Sequence, residues 1–309
     1  MLLSEAEVLE DREFSLDEYV DFVRANVDVT DFESMCASSW SLKALANNRS
    51  FLLNAYNDEL EAILSGTSIN TLTPQSIVLA YGKNFYLRAN IWLPATGIAA
   101  VEDREKKLNS YDVAHDHNFS FVTVGYFGAG YETDIYTYDD EKIIGLSGEK
   151  VMLNYSGRYT LRPGTLMAYK AGYHVHIQFP PPDITVSLNL MSSAGIGTRQ
   201  QFAFDLEAQQ IAGGLTDTTG TRLFLISVLP ELLSSDTPRS TSAEETVELL
   251  GHLASRYQCI RTRSQALRAL RRIDDSEYER VVRRSDRETI RLSELDLCHA
   301  GQARQIDIL

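Results

Sequence analysis

The sequence predicts an α+β protein, an antiparallel barrel or sandwich of short strands set between two helical regions. Three observations predict it. From residue 75 to about 205, short runs rich in β-branched and aromatic residues are separated by Gly, Pro, Asp and Ser. Before and after that span, apolar residues recur at i, i+3 and i+4. No strand–helix alternation is visible, which disfavours a doubly wound parallel sheet. The chain therefore divides into 1–74, 75–206 and 207–309.

Each element follows from its own pattern. In the first region, SLDEYVDFVRANV and NRSFLLNAYNDELEAIL are amphipathic, and Ser15 with Glu18 forms a capping-box pattern. The segment from Gly66 to Thr73 reads as a loop. The strands of the middle region are SIVLAYG, NFYLRANIWLP, FSFVTVGYF, YETDIYTYD, KVMLNY, GTLMAYK, HVHIQFP and ITVSLNLM. Gly128-Ala-Gly130 falls between two of these strands rather than before a helix, so it reads as a hairpin turn and not a phosphate loop. In the last region, TRLFLISVLPELL and AEETVELLGHLASRY are helical, joined by a Ser/Thr/Pro-rich connector at 234–242. Nine arginines follow between Arg261 and Arg287, interleaved with acids. That segment reads as a salt-bridged, solvated helical face, or as a docking surface for an acidic protein partner.

Composition narrows the function classes. The chain has 309 residues, a net charge of −14 and 44% hydrophobic residues, ordinary for a globular protein large enough for one sizeable core with additions. Such an acidic chain repels phosphate backbones, so nucleic acid is not an expected partner. Cys36, Cys259 and Cys298 are an odd number without motif spacing, which argues against a disulfide framework and for a reducing compartment. The first residues are acidic and lack a basic, apolar leader, and no apolar run approaches a membrane span. A cytoplasmic location is the expectation.

The chemistry concentrates in histidine. Four of the six histidines form two pairs, His115-Asp-His117 and His174-Val-His176. On a strand, H-x-H turns both imidazoles to one face, and neutral imidazole is the commonest metal-binding side chain. Asp116, between the first pair, would face away and serve as an acceptor rather than a ligand. Three histidines would hold a divalent metal with positions left open. No glutamate follows His117 closely, so an all-histidine set is favoured over a histidine–carboxylate set. Arg88 offers a planar fork for a carboxylate, and Tyr86 shares its strand face.

Four stretches resemble the cysteine dioxygenase (thiol dioxygenase) family of the cupin superfamily, across about residues 84–206. They are Tyr86-Leu-Arg88-Ala-Asn, His115-Asp-His117, Gly172-Tyr-His174, and Val186-Ser-Leu-Asn-Leu190 with the later Phe204-Asp205. The resemblance implies a cupin-like double-stranded β-helix or jelly-roll barrel flanked by helices. It implies metal ligands His115, His117 and His174, with His176 as an alternate or a neighbour of the ligands. It implies Arg88 as the anchor for a substrate carboxylate, with Tyr86, Ser187 and Asn189 around the reacting atoms. It implies Fe(II), with Zn, Ni or Mn as other metals, no organic cofactor, and a small molecule with O2 as substrates. Where the family has Ser-His-Tyr, this chain has Ser187, Asn189 and Met191, and Val122 replaces the cysteine that some members crosslink. Methionine cannot donate a hydrogen bond to a bound oxygen. Besides an oxygenase acting on an amino acid or thiol, a regulatory metal-binding barrel and a Zn or Ni isomerase or lyase therefore stay open.

Overall fold

A computed structural model describes residues 1–3, 12–67, 75–100, 102–140, 143–194, 199–215, 218–234 and 241–294. Most of the 66–73 loop and of the 234–242 connector, and all of Cys298, lie outside these residues. The chain sorts into two units. One gathers the described residues of Met1–Asp139 and Leu153–Ile196, the other those of Asp140–Met152 and Gly197–Asp307.

The first unit opens with α1 (Leu16–Asn26), α2 (Phe32–Ala37), α3 (Ser39–Asn47) and α4 (Phe51–Ser65). The capping box at Ser15 is present in full, with Glu18 returning to the Ser15 N–H. Asp31 caps α2 by accepting from the Glu33 and Ser34 N–H groups. The strands follow: β1 (Ser76–Gly82), β2 (Phe85–Trp92), β3 (Phe121–Phe127), β4 (Glu132–Thr137), β5 (Asn154–Thr160), β6 (Leu166–Tyr169), β7 (His174–Gln178) and β8 (Thr185–Ser192). A short helix, α5 (Glu102–Asn109), interrupts the strand region. Its charged sequence EDREKKLN gave no apolar periodicity to read.

One sheet has the order β1-β2-β8-β3-β6 and the other β5-β4-β7. His115 bridges His176 antiparallel, which lays its segment along the free side of β7. From β2 onward the chain crosses repeatedly between the two sheets, and every pairing within the named strands is antiparallel. That interleaved order is a jelly roll. The expected antiparallel barrel is therefore present, with the N-terminal helices packed on its larger sheet.

Strand alternation sorts the larger sheet into two faces. Phe85, Leu87, Ala89, Val122, Val124, Leu188 and Leu190 pack against α1–α4 in one core. The opposite face lines the barrel interior, where Trp92, Phe121, Tyr131, Met167, Tyr169 and Met191 form a second, aromatic core. The turn at Gly128 and Gly130 has φ near +86 at both, and a Cβ on Gly130 would lie 2.5 Å from the Leu161 carbonyl oxygen. Only glycine fits there, as expected for a hairpin turn.

The run KVMLNY, expected as one strand, is divided. Lys150 bridges Gln210 in the second unit, and β5 begins only at Asn154. Gly157 then takes φ +134 where β5 shifts register against β4.

The second unit carries a hairpin, β9 (Phe202–Asp205) with β10 (Gln210–Gly214), and α6 (Thr218–Ser234), α7 (Thr241–Arg256), α8 (Ile260–Ile273), α9 (Asp275–Val282) and α10 (Arg287–Ser293). Its core gathers Ile226, Leu250, Leu267, Leu270 and Val281. The arginine-rich segment is thus three helices, with Asp274 and Asp286 capping the last two. Many of its arginines are engaged within the unit. Arg261 is buried and donates to the Gly145 carbonyl at 3.0 Å. Arg263 donates to Tyr257 and Gln258 carbonyls, and Arg272 pairs with Glu231, Arg280 with Glu277 and Arg291 with Glu288. Among the described residues, no helix is long and apolar enough to cross a membrane.

Candidate metal centre

His115 and His117 lie in the segment before β3, outside any named strand, and His176 lies in β7. His115 and His176 exchange both backbone hydrogen bonds, at 3.0 and 2.9 Å. Residues paired this way place their side chains together on one face. Three imidazole nitrogens consequently converge. His176 Nε2 lies 2.9 Å from His117 Nε2 and 3.2 Å from His115 Nε2. Among the described residues, these three histidines are the group whose donor atoms lie within 4.8 Å of one another.

The third histidine of this cluster is His176, and His174 is not part of it. His174 Nδ1 accepts from the Lys170 N–H at 2.8 Å and thereby closes the turn leading into β7. Its ring packs near Tyr173 and Phe32. Both histidines of H-x-H belong to the same strand face, so alternation could not separate them. Register separated them, because His115 stands opposite His176.

The cluster has the chemistry of a metal site. His115 Nδ1 lies 2.9 Å from the Val113 carbonyl, so this nitrogen carries the proton and Nε2 presents its lone pair to the centre. Burial holds the His115 pKa below the ordinary histidine value. Burial, then the neighbouring His115 and Arg88, hold His117 well below it. Burial, then His115 and His117, do the same to His176. All three imidazoles are therefore neutral near pH 7, the state that ligates. A proton shared among three nitrogens can bridge only one close pair at a time. A single cation accepts all three lone pairs at once, so the donor set fits a divalent metal.

The larger sheet presents the remaining candidates in cross-strand rows. Arg88, Asn189 and Thr123 are register partners across β2, β8 and β3. Tyr86, Met191 and Phe121 form the adjacent row, and Asn90, Ser187 and Gly125 the row beyond. Arg88 alternates with Tyr86 and Trp92 on the interior face of β2, and Phe121 of the adjacent row packs against the His117 ring at 5.0 Å. The buried Nε of Arg88 has no hydrogen-bond partner among the described residues. Burial lowers the Arg88 pKa, while Tyr86 and Tyr131 oppose that shift. Burial raises the pKa of Tyr86, so its phenol stays protonated. Ser187 Oγ accepts from Trp92 Nε1 at 3.0 Å and from Asn189 Nδ2 at 3.5 Å. These two residues thus tie β8 to Trp92 on β2.

Residues that motif reading did not single out complete the interior. Tyr169 stacks on Phe121 with ring centroids 4.6 Å apart, and its ring centroid is 4.7 Å from that of His176. Trp92 packs on Tyr131 at 4.6 Å. Their signal was the alternation of aromatic residues along strands already identified. Asp116 is not among the converging donors, and its carboxylate accepts from the Tyr138 hydroxyl at 2.5 Å.

No protein-family model and no curated protein matches the sequence. Among solved structures, part of the chain resembles one from the crystal structures of DMSP lyases, at 12% identity, 42% of this chain, 52% of that chain and a TM-score of 0.26. The match thus spans about half the length of that lyase chain. The hydroquinone 1,2-dioxygenase from Sphingomonas sp. TTNP3 shares 10% identity over 41% of this chain and 70% of its own, with a TM-score of 0.27. A cupin-like protein from Thermotoga maritima shares 10% over 43% and 80%, with a TM-score of 0.23.

Proposed function

We propose that this protein is a metal-dependent jelly-roll enzyme, a non-haem Fe(II) oxygenase of the cupin and thiol-dioxygenase type acting on a small carboxylate-bearing molecule. The observation that carries this reading is the convergence of His115, His117 and His176, with Arg88 on the interior face of β2. Bound Fe(II) would supply a redox-active Lewis acid at which an organic substrate and O2 meet. The chain's own residues supply binding and exclusion. Arg88 presents a guanidinium whose fork suits a carboxylate in two-point geometry. Tyr86, held neutral, offers a hydroxyl on the same strand face. Trp92, Tyr131, Tyr169 and Phe121 wall the interior with aromatic surface and exclude water, which strengthens polar contacts inside. Ser187 and Asn189 hold the wall at Trp92.

Elemental analysis of protein purified without a polyhistidine tag, coupled to an oxygen-consumption screen over amino acids and small thiols, tests the reading. Stoichiometric iron with oxygen uptake on a carboxylate-bearing compound is the expected result. Protein that holds no stoichiometric metal, or a His115→Ala variant with unchanged metal content, defeats it.

A second reading rests on Met191, which stands in the row beside Arg88 and has no donor to offer a bound oxygen. On that reading the barrel binds metal and ligand without oxygen chemistry, as a regulatory protein or as a Zn or Ni isomerase or lyase. Metal content without oxygen uptake, or zinc or nickel in place of iron, would favour it.

A further inference from the structure

The buried carboxylate of Asp116 is the feature that the reading above does not use. It lies between two of the clustered histidines in sequence and is only 1% exposed. It is not among the groups whose donor atoms converge. Its Oδ2 accepts from the Tyr138 hydroxyl at 2.5 Å, and Tyr138 is itself buried, just beyond the end of β4. Tyr138 is also fixed through its backbone, which donates to the Tyr173 carbonyl at 3.0 Å. The segment that carries His115 and His117 has little regular pairing of its own. It is held by the His115–His176 bridge, by the Gly172 N–H on the His117 carbonyl at 3.0 Å, and by the Asp116–Tyr138 contact.

Charge gives this contact a second consequence. A divalent cation held by three neutral imidazoles keeps its full charge in a buried site, and burying an uncompensated charge is costly. A buried carboxylate is costly for the same reason. With the two carried by one short segment, each offsets part of the cost of the other. We propose that Asp116, oriented by Tyr138, is the charge-balancing positioning residue of the three-histidine centre, and that the pair raises its affinity for divalent metal without ligating it. This inference rests on the metal-binding reading above.

The test uses the full chain, loaded with Fe(II) or Co(II) under anaerobic conditions, and compares wild type with Asp116→Asn and Tyr138→Phe. Dissociation constants come from competition with a chelator, and thermal midpoints are recorded with and without metal. Asp116→Asn is expected to weaken metal binding about 10–100-fold, the range for residues that support metal ligands from behind, and Tyr138→Phe to weaken it less. In the metal-free form, Asp116→Asn is expected to melt within about 3 °C of wild type, since it removes a buried charge and keeps the shape. A purely structural role reverses this pattern, with a lowered metal-free midpoint and an unchanged dissociation constant, and that result overturns the proposal. Metal bound by wild type with equal affinity in both variants overturns it as well, while leaving the metal reading intact. Wild type that binds no divalent metal overturns both. If Asp116→Asn does not fold, Tyr138→Phe, which keeps the carboxylate and removes one hydroxyl, decides between the same outcomes.

Discussion

The clustered histidines are not equivalent, because His176 Nε2 takes part in both close contacts, and the substitutions follow from that. His176→Ala removes the nitrogen shared by both close contacts and is expected to abolish stoichiometric metal, whereas His174→Ala is expected to keep it, as read by elemental analysis. Arg88→Ala is expected to weaken binding of a small carboxylate at least about 10-fold, with Arg88→Lys recovering only part, since an ammonium lacks the planar fork. Titration calorimetry against a series of carboxylates reads both. The metal-free protein also has a signed pH dependence. Burial first, then the amino terminus and Lys170, lower the His174 pKa to about 3, and His115, His117 and His176 are lowered too. Their folded-state values lie below the unfolded value near 6.5. The unfolded chain therefore takes up protons first as pH falls. Stability is full above about pH 6.5 and declines below it, by up to about 1.4 kcal/mol per pH unit for each such histidine. Urea titrations of metal-free protein at pH 7.5, 6 and 5 should show this decline, and a flat profile contradicts it. The presence of a histidine cluster was legible in the sequence, because H-x-H is a local pattern. The choice of His176 over His174 was not. It depends on which residue of β7 stands opposite His115, and register between distant segments leaves no local trace.

Elements were legible in proportion to how strongly burial patterned them. The strands of the larger sheet, with one face on the helices and one on the interior, were readable as short apolar runs. β5 was not, because it is an edge strand with exposed residues and a glycine shift, and its pattern carries little burial. Helix α5, almost wholly charged, had no periodicity to detect. The turn between β3 and β4 is the converse case, a short local signal with a strict steric reason. Gly130→Ala would combine a positive φ with a Cβ against the Leu161 carbonyl. It is expected to cost about 2 kcal/mol or more, measured by denaturant unfolding. A cost below about 0.5 kcal/mol would mean that the turn rearranges freely.

At the scale of the whole molecule, two units have separate cores, one pair of cores around the sheets and another among α6–α10. The proposed metal belongs to the first alone. Differential scanning calorimetry with and without metal should therefore move one transition upward, by an amount set by concentration over dissociation constant, and leave the other in place. A common shift of a single transition would show that the units unfold together. The division itself was only partly legible. Residues 140–152 lie within the strand region of the sequence, but group with the C-terminal helices. Chain proximity misled there, because an excursion between two strands of one unit can pack on residues much later in the chain.

The bridge between His115 and His176 joins residues 61 apart in sequence. The histidine pairs meet only when that separation has been closed, and pairings of such separation form slowly. The centre is therefore expected to form late in folding, after the transition state. Metal present during refolding should leave the rate of folding almost unchanged and act instead on the rate of escape from the native state. A loaded molecule would then outlast a metal-free one mainly by unfolding more slowly.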